Sequence, residues 1–251
     1  MKIVRFVYRG EPRYGLLNSD QIEVIHNLPF DEVDVTGVSV ALSKVELLSP
    51  VDPSKIIAIG LNYRDHAKEL DLEMPTEPCL FMKPTSSLIG SGNAIVYPEA
   101  TGQVDFEAEL VIVIRKVARC IKSGDAADYI FGYTCGNDVT ARDIQKKDEQ
   151  WTRAKGFDTF CPVGPHIETE LDTSNIYVRS RLNGEIRQDG STKEMVFDVF
   201  DLVSYISEVM TLYPGDIIFT GTPFGVGSMS PGDTIEVEIE GVGSLINKIE
   251  Q

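Results

Sequence analysis

The chain has 251 residues, 42% of them apolar, and a formal charge of −16. That length suits one large domain or one domain with a small appendage, and the apolar share is enough for a substantial core. So acidic a chain is a poor partner for nucleic acid or an anionic membrane, both of which want a basic surface.

Residues 1–51 read as a small N-terminal β domain. Short strands are expected at 2–8, 13–17 and 21–24, with turns at Arg9-Gly-Glu-Pro12 and Asn18-Ser-Asp20. Arginines break up the apolar residues at the start of the chain, so no signal-peptide core forms there, and no apolar run approaches membrane-spanning length. Cysteines stand at 79, 120, 135 and 161 without CxxC spacing. They read as reduced, mostly buried thiols, which together with the missing signal suggests a cytoplasmic protein.

Ser49-Pro-Val-Asp-Pro53 marks the boundary to a main domain over 52–251. Strands are expected at 55–61, 79–83, 109–115 and 132–137, helical character at 62–72 and 138–149, and a short helix at 125–130. Asn183-Gly184, between expected strands at 176–182 and 185–188, is a strong hairpin signal. Residues 200–210 carry a helical apolar face, and strands at 216–220, 234–240 and 245–249 close the chain. Strands outnumber helices and do not alternate with them, which predicts an α+β, mainly β architecture.

Five places in this layout can carry chemistry. In Val104-Asp-Phe-Glu-Ala-Glu-Leu110, a single strand would put Asp105, Glu107 and Glu109 on one face. Carboxylates crowded at a core's edge are costly unless compensated, and an all-oxygen set suits Mg²⁺, Mn²⁺ or Ca²⁺; a solvated acidic edge is the competing reading. Asp138 follows an apolar strand and is either a further ligand or the cap of the next helix. His66 and Glu69 are three apart in a helical segment, where a carboxylate can orient an imidazole as a general base, or the two can be an incidental surface pair. Residues 142–155 are locally basic through Arg142, Lys146, Lys147, Arg153 and Lys155, which suits an anionic substrate or a set of surface ion pairs. Gly221-Thr-Pro-Phe-Gly-Val-Gly227 lacks the Gly-Lys-Ser/Thr ending of a nucleotide loop and reads as an anion-facing loop or a plain turn. His166, after Pro165, is expected in a loop.

In their order along the chain, Ile59-Gly-Leu-Asn-Tyr-Arg-Asp-His-Ala-Lys-Glu69, Phe81-Met-Lys-Pro84, Asp105-Phe-Glu-Ala-Glu109, Asn137-Asp-Val-Thr-Ala-Arg-Asp143, Trp151-Thr-Arg-Ala-Lys155, Asn183-Gly-Glu185 and Thr220-Gly-Thr-Pro-Phe-Gly-Val-Gly227 resemble the fumarylacetoacetate hydrolase family. The short N-terminal segment is similar to its acylpyruvase, oxaloacetate decarboxylase and hydroxyheptadienedioate isomerase branches. The resemblance implies a mixed β-roll or sandwich core and a homodimer. It implies Mg²⁺ or Mn²⁺, with Ca²⁺ as a substitute, on Glu107, Glu109 and Asp138, leaving Asp105 outside the ligand set. It implies His66 and Glu69 as a water-activating dyad on a mobile lid, Lys155 and Gln145 as stabilisers of an enolate or oxyanion, and Arg142, Lys83 and Thr222 as substrate contacts. The activity implied is hydrolytic C–C cleavage or decarboxylation of an enolisable 2-oxo acid through a metal-bound enolate. The alternatives are a 2-hydroxyhepta-2,4-diene-1,7-dioate isomerase or oxaloacetate tautomerase, and, in another class, a catalytically inactive metal- or ligand-binding protein.

Overall fold

The computed structural model describes residues 1–69 and 74–251, apart from the side chains of His66, Ala67 and Glu69. Among the described residues, eleven strands form one mixed sheet. In spatial order ten of them are Val35–Ala41, Gln21–Ile25, Glu11–Asn18, Lys2–Tyr8, Cys161–Glu168, Ile130–Asn137, Ala108–Ile114, Ile217–Phe219, Ile56–Gly60 and Cys79–Lys83. Leu88–Ile89 pairs in parallel with Cys161–Glu168, and Ile217–Phe219 in parallel with Ile56–Gly60; the other neighbours are antiparallel. The N-terminal strands extend the main sheet, with Lys2 opposite Glu168 and Ile3 opposite Ile167.

A five-stranded sheet faces the main one, in the order Glu185–Ser191, Tyr177–Leu182, Thr234–Ile239, Gly243–Glu250 and Ala94–Val96. Between the two sheets, Leu110, Ile112 and Ile114 pack with Val178, Val237 and Leu245. On the far side of the main sheet, Val111 and Val113 pack with Ile56, Val163 and Phe219. Leu110–Ile114 is therefore buried on both faces, which is why its sequence is a continuous apolar run rather than an alternating one. The architecture is mainly β, as the pattern of short strands implied.

Four α-helices complete the described fold: α1 (Arg64–Glu69), α2 (Arg142–Lys147), α3 (Thr152–Lys155) and α4 (Val199–Val209). In α4, Asp198 accepts N–H groups from Phe200 and Asp201, both at 2.9 Å, and Leu202, Val203 and Ile206 turn into the core. At the Asn183-Gly184 turn both residues adopt positive φ, 54° and 84°, as a two-residue hairpin of this type requires. No described helix is long and apolar enough to cross a membrane.

Several expectations change. Helix α2 is half the length expected, because Thr140–Ala141 is recruited as a strand before it. His166 is not in a loop: it lies buried in the strand Cys161–Glu168, whose Gly and Pro residues disguise it. Gly164 and Pro165 fall where pairing with Ile130–Asn137 shifts register between Tyr133 and Cys135, a place where a missing N–H is tolerated. The four cysteines are free, but Cys79 and Cys120 are exposed and only Cys135 and Cys161 are buried.

Candidate active site

Two neighbouring strands leave the main sheet at the same point. Ala108 opposite Asn137 is the last pair in that sheet. Asp105 opposite Thr140 then belongs to a three-stranded sheet made by Thr140–Ala141, Val104–Phe106 and Gly227–Met229. Glu107 and Asp138 are the corner residues, and their backbones are pinned together: the Asp138 N–H donates to the Glu107 carbonyl at 2.9 Å, and the Glu107 N–H to Asn137 Oδ1 at 3.0 Å. Strands that turn from one sheet into another make such corners in packed β structures. The single acidic strand expected over 104–110 is thus broken at Glu107. Glu109 stays in the main sheet, while Asp105 lies in the small one.

The break lets side chains from two strands and two sheets converge. Glu107, Glu109 and Asp138 are all buried, and one carboxylate oxygen from each lies within 4.8 Å of the others. Asp138 does not cap a helix: residue 141 occupies that position for α2, and the Asp138 carboxylate is taken up by lysines. Burial, then the nearby Asp138 and Glu107, hold the Glu109 carboxyl well above the usual carboxylate range. The Gly221 N–H opposes this with a 2.7 Å hydrogen bond to Glu109 Oε2. Gly221 is required there, since its φ is +94° and a Cβ would come within 2.8 Å of Asn62 Cβ.

Three cations surround the acids. Lys155 Nζ donates to Glu107 Oε2 at 2.8 Å and to Asp138 Oδ2 at 2.6 Å. Burial works against its charge, but Asp138 and Glu107 outweigh it and hold the ammonium above the usual lysine range. Lys83 Nζ donates to Asp138 Oδ1 at 2.5 Å and to the Val139 carbonyl. It lies beneath the floor, bracing Asp138, and is not among the residues that line the pocket. Arg142 reaches from the first turn of α2 to Asp105 (2.8 Å), Glu107 (2.6 Å) and Gln145 Oε1 (2.6 Å). Asp105 is buried and holds that guanidinium in place.

Among the described residues the floor therefore sets four carboxylates against three cations. Crowded oxygens, no sulfur or described nitrogen ligand, and a deficit of positive charge together fit a hard divalent cation such as Mg²⁺ or Mn²⁺. Such an ion would turn the local balance positive.

Above the floor lies a cavity of about 460 Å³. Glu107, Glu109, Asp138, Arg142 and Lys155 line its base, with Gln145 and Thr222 beside them. Its walls include Ile59, Leu61, Phe81 and Trp151. Phe81 and Trp151 meet edge to face at 5.3 Å, and the Lys155 ammonium sits 5.1 Å from the Phe81 ring centre. A Cβ at position 60 would lie 2.7 Å from the Trp151 ring, so Gly60 is what lets the indole close the wall. His66 and Glu69 are on α1, which follows the Ile56–Gly60 strand at the cavity's edge; their side chains lie outside the described residues.

Sequence reasoning assigned no role to Gln188 or Asn62. Gln188 sits on the hairpin strand Glu185–Ser191, accepts the Ala108 N–H at 3.0 Å, and donates to Thr222 Oγ1 and the Pro223 carbonyl, both at 2.8 Å. Thr222 in turn donates to the Ala108 carbonyl at 2.8 Å. Asn62 ties three chain segments together through Phe197 and the Thr220 carbonyl. Both are fully buried polar side chains next to motif glycines, but a buried amide leaves no periodic signal in sequence.

Residues 55–250 match the family described as fumarylacetoacetate (FAA) hydrolase, C-terminal. The chain belongs to the fumarylacetoacetate hydrolase family. Residues 1–50 match a second description, Rv2993c-like, N-terminal. A mitochondrial oxaloacetate tautomerase of Homo sapiens is 42% identical over 220 residues, which cover 82% of this chain and 70% of that protein. The fold is similar to that of a 2-hydroxyhepta-2,4-diene-1,7-dioate isomerase from Mycobacterium marinum, with a TM-score of 0.94 and 40% identity over 100% of this chain and 98% of that one. It is also similar to a maleylpyruvate hydrolase from Sphingobium sp. SYK-6, with a TM-score of 0.84 and 32% identity over 100% and 99% of the two chains. That structure is a complex with manganese (II) ion and pyruvate.

Proposed function

We propose that this family member is a divalent-metal-dependent enzyme acting on small enolisable 2-oxo acids of the acylpyruvate or oxaloacetate type, by hydrolytic C–C cleavage or decarboxylation. The observation that carries the reading is the floor itself: three carboxylates within 4.8 Å, in a floor whose carboxylates outnumber its described cations, beneath an apolar-walled cavity. A divalent ion held by Glu107, Glu109 and Asp138 would supply a Lewis acid there.

The chain's own residues do the rest. Arg142 is held by Asp105 and Glu107, so its position is fixed before substrate arrives. Because the Gln145 oxygen accepts from Arg142, its amide N–H₂ is left as a donor toward the cavity. Lys155 keeps a permanent positive charge beside the site where an oxyanion develops, and preorganised charge of this kind commonly supplies a large share of the rate enhancement in catalysis. His66, with Glu69 three residues on, is proposed as the base that takes a proton from water.

The 42% and 40% identities to a tautomerase and an isomerase favour a second reading. In it His66 moves a proton on carbon and no water adds.

The test follows the ultraviolet band of the enol form in a panel of acylpyruvates and in oxaloacetate, with Mn²⁺ or with chelator, while released pyruvate is measured separately. Metal-dependent loss of the band with stoichiometric pyruvate supports cleavage or decarboxylation. Metal-dependent change without pyruvate, with one product by NMR, supports the second reading. No metal-dependent change with any member, extended to hydroxydienoates, defeats both.

A further inference from the structure

The cavity has a second charged element, away from the floor. Arg142, Gln145 and Lys146 all line it and are spaced i, i+3 and i+4 on α2, so they share one helical face. Arg142 points to the floor and is fully engaged there. Lys146 is one turn further on, about 6 Å along the axis at 1.5 Å per residue. It is exposed at the rim, and no carboxylate pairs with it among the described residues. Asp143, on the same helix, is turned away to Thr101 and the Gly102 N–H. An ammonium at the mouth of a cavity with no carboxylate partner among the described residues is conspicuous in a chain of charge −16. Between floor and rim the walls are Ile59, Leu61, Phe81 and Trp151, which offer an extended or planar carbon chain packing surface and few hydrogen bonds.

Resting on the proposed 2-oxo acid chemistry, we infer that Lys146 is a specificity residue that binds a distal carboxylate, so that the preferred substrates are 2-oxo dicarboxylic acids whose second acid group stands several carbons from the first, with Trp151 and Phe81 flanking the chain between. A monoacid of full length fills the walls but leaves Lys146 solvated. Lys147, next along the helix, does not line the cavity and carries the same charge, which makes it the control.

Trp151 is the sole tryptophan and lies in the cavity wall, so binding can be read from its fluorescence without turnover. The probes are 2-oxoadipate and 2-oxohexanoate, equal in chain length and differing in the distal carboxylate, titrated with Mg²⁺ present. The wild type is expected to bind the diacid roughly fivefold more tightly, the scale of one exposed ion pair. Lys146→Glu should abolish or invert that preference, Lys146→Arg should keep it, and Lys147→Glu should leave it as in the wild type. Equal binding of the two acids by the wild type, or a preference that survives Lys146→Glu, overturns the inference alone. Loss of both acids in Lys146→Glu also overturns it, by giving the residue a structural role. If the wild type binds neither acid, this inference fails, while the 2-oxo acid reading is decided separately by the acylpyruvate and oxaloacetate panel.

Discussion

Asp216 and Glu109 are both fully buried carboxylates, held at opposite ends of one short strand, and the fold treats them in opposite ways. Asp216 precedes Ile217–Phe219 and accepts from the Ser54 N–H (3.0 Å), the Ser54 hydroxyl (2.6 Å), the Lys55 N–H (3.1 Å), the Lys55 ammonium and the Tyr213 N–H (2.7 Å). Glu109 lies beyond the other end, where the Gly221 N–H reaches it and two further carboxylates crowd it. A buried acid can be tolerated when donors and a counter-charge surround it, and is costly when they do not. The first arrangement is a structural clamp that ties residues 54–55 to 213–216. The second keeps unmet electrostatic demand at the base of a cavity, which is what a cation site requires.

The sharpest test of that contrast pairs two isosteric changes. Glu109→Gln is expected to leave stability without metal unchanged or slightly higher, since it relieves like-charge crowding. The same change should remove Mg²⁺ binding in calorimetry and lower turnover by at least about 10³-fold, near 4 kcal/mol of transition-state stabilisation. Asp216→Asn should do the reverse: lower unfolding free energy by about 3 kcal/mol, the scale for breaking a buried pair, while Mg²⁺ affinity of the folded protein stays at the wild-type value. Wild-type protein should also gain thermal stability with Mg²⁺ in excess, and Glu109→Gln should not. If Glu109→Gln destabilises as much as Asp216→Asn, the two acids are alike and the contrast is wrong.

A smaller effect probes how the floor is held. Gln188 joins the hairpin to Ala108, Thr222 and Pro223, between the corner of the acidic strand and the loop beside the cavity. Gln188→Ala strands buried partners at about 1–3 kcal/mol. Because those partners adjoin Glu107, Glu109 and Gly221, the change should weaken Mg²⁺ affinity as well as stability. A stability loss with unaltered metal affinity would place Gln188 with Asp216 as scaffold only.

Much of this was legible in sequence where chemistry and periodicity coincide. The apolar run after Glu109, the Asn183-Gly184 turn and the face of α4 each follow from local rules, and the fold came out mainly β. The acidic residues at 107, 109 and 138 stood out because carboxylates at the ends of core strands need an explanation. What sequence could not show was the corner: period-two alternation assumes one continuous strand, and the turn at Glu107 depends on Asn137, thirty residues away, catching its N–H. Lys83 was equally opaque, since a lysine that braces Asp138 from below and one that faces substrate look identical in a sequence. The strand Cys161–Glu168 was hidden because Gly and Pro ordinarily argue against one.

That hidden strand carries the smallest expected effect. His166 is buried in it, and its Nε2 meets no hydrogen-bond partner among the described residues. Burial, then Lys2, lowers its pKa from 6.5 to about 4, with Glu168 pulling the other way. The imidazole is neutral in the native protein over a range where the unfolded chain protonates. Stability should therefore be at its full value above about pH 6.5 and decline as pH falls toward 4, as the unfolded state takes up the extra proton. At pH 4.5 the loss from this one group is roughly 1–2 kcal/mol, after allowing for partial solvent access. The measurement is urea unfolding of wild type and His166→Gln at several pH values. The difference between them isolates the histidine from the many carboxylates that titrate over the same range. It should favour the wild type least, or the variant most, at the acid end. A difference that stays constant from pH 7 to 4.5 would mean that His166 is as easily protonated in its strand as in open chain, and that a buried group in this fold need not be either clamped or electrostatically strained.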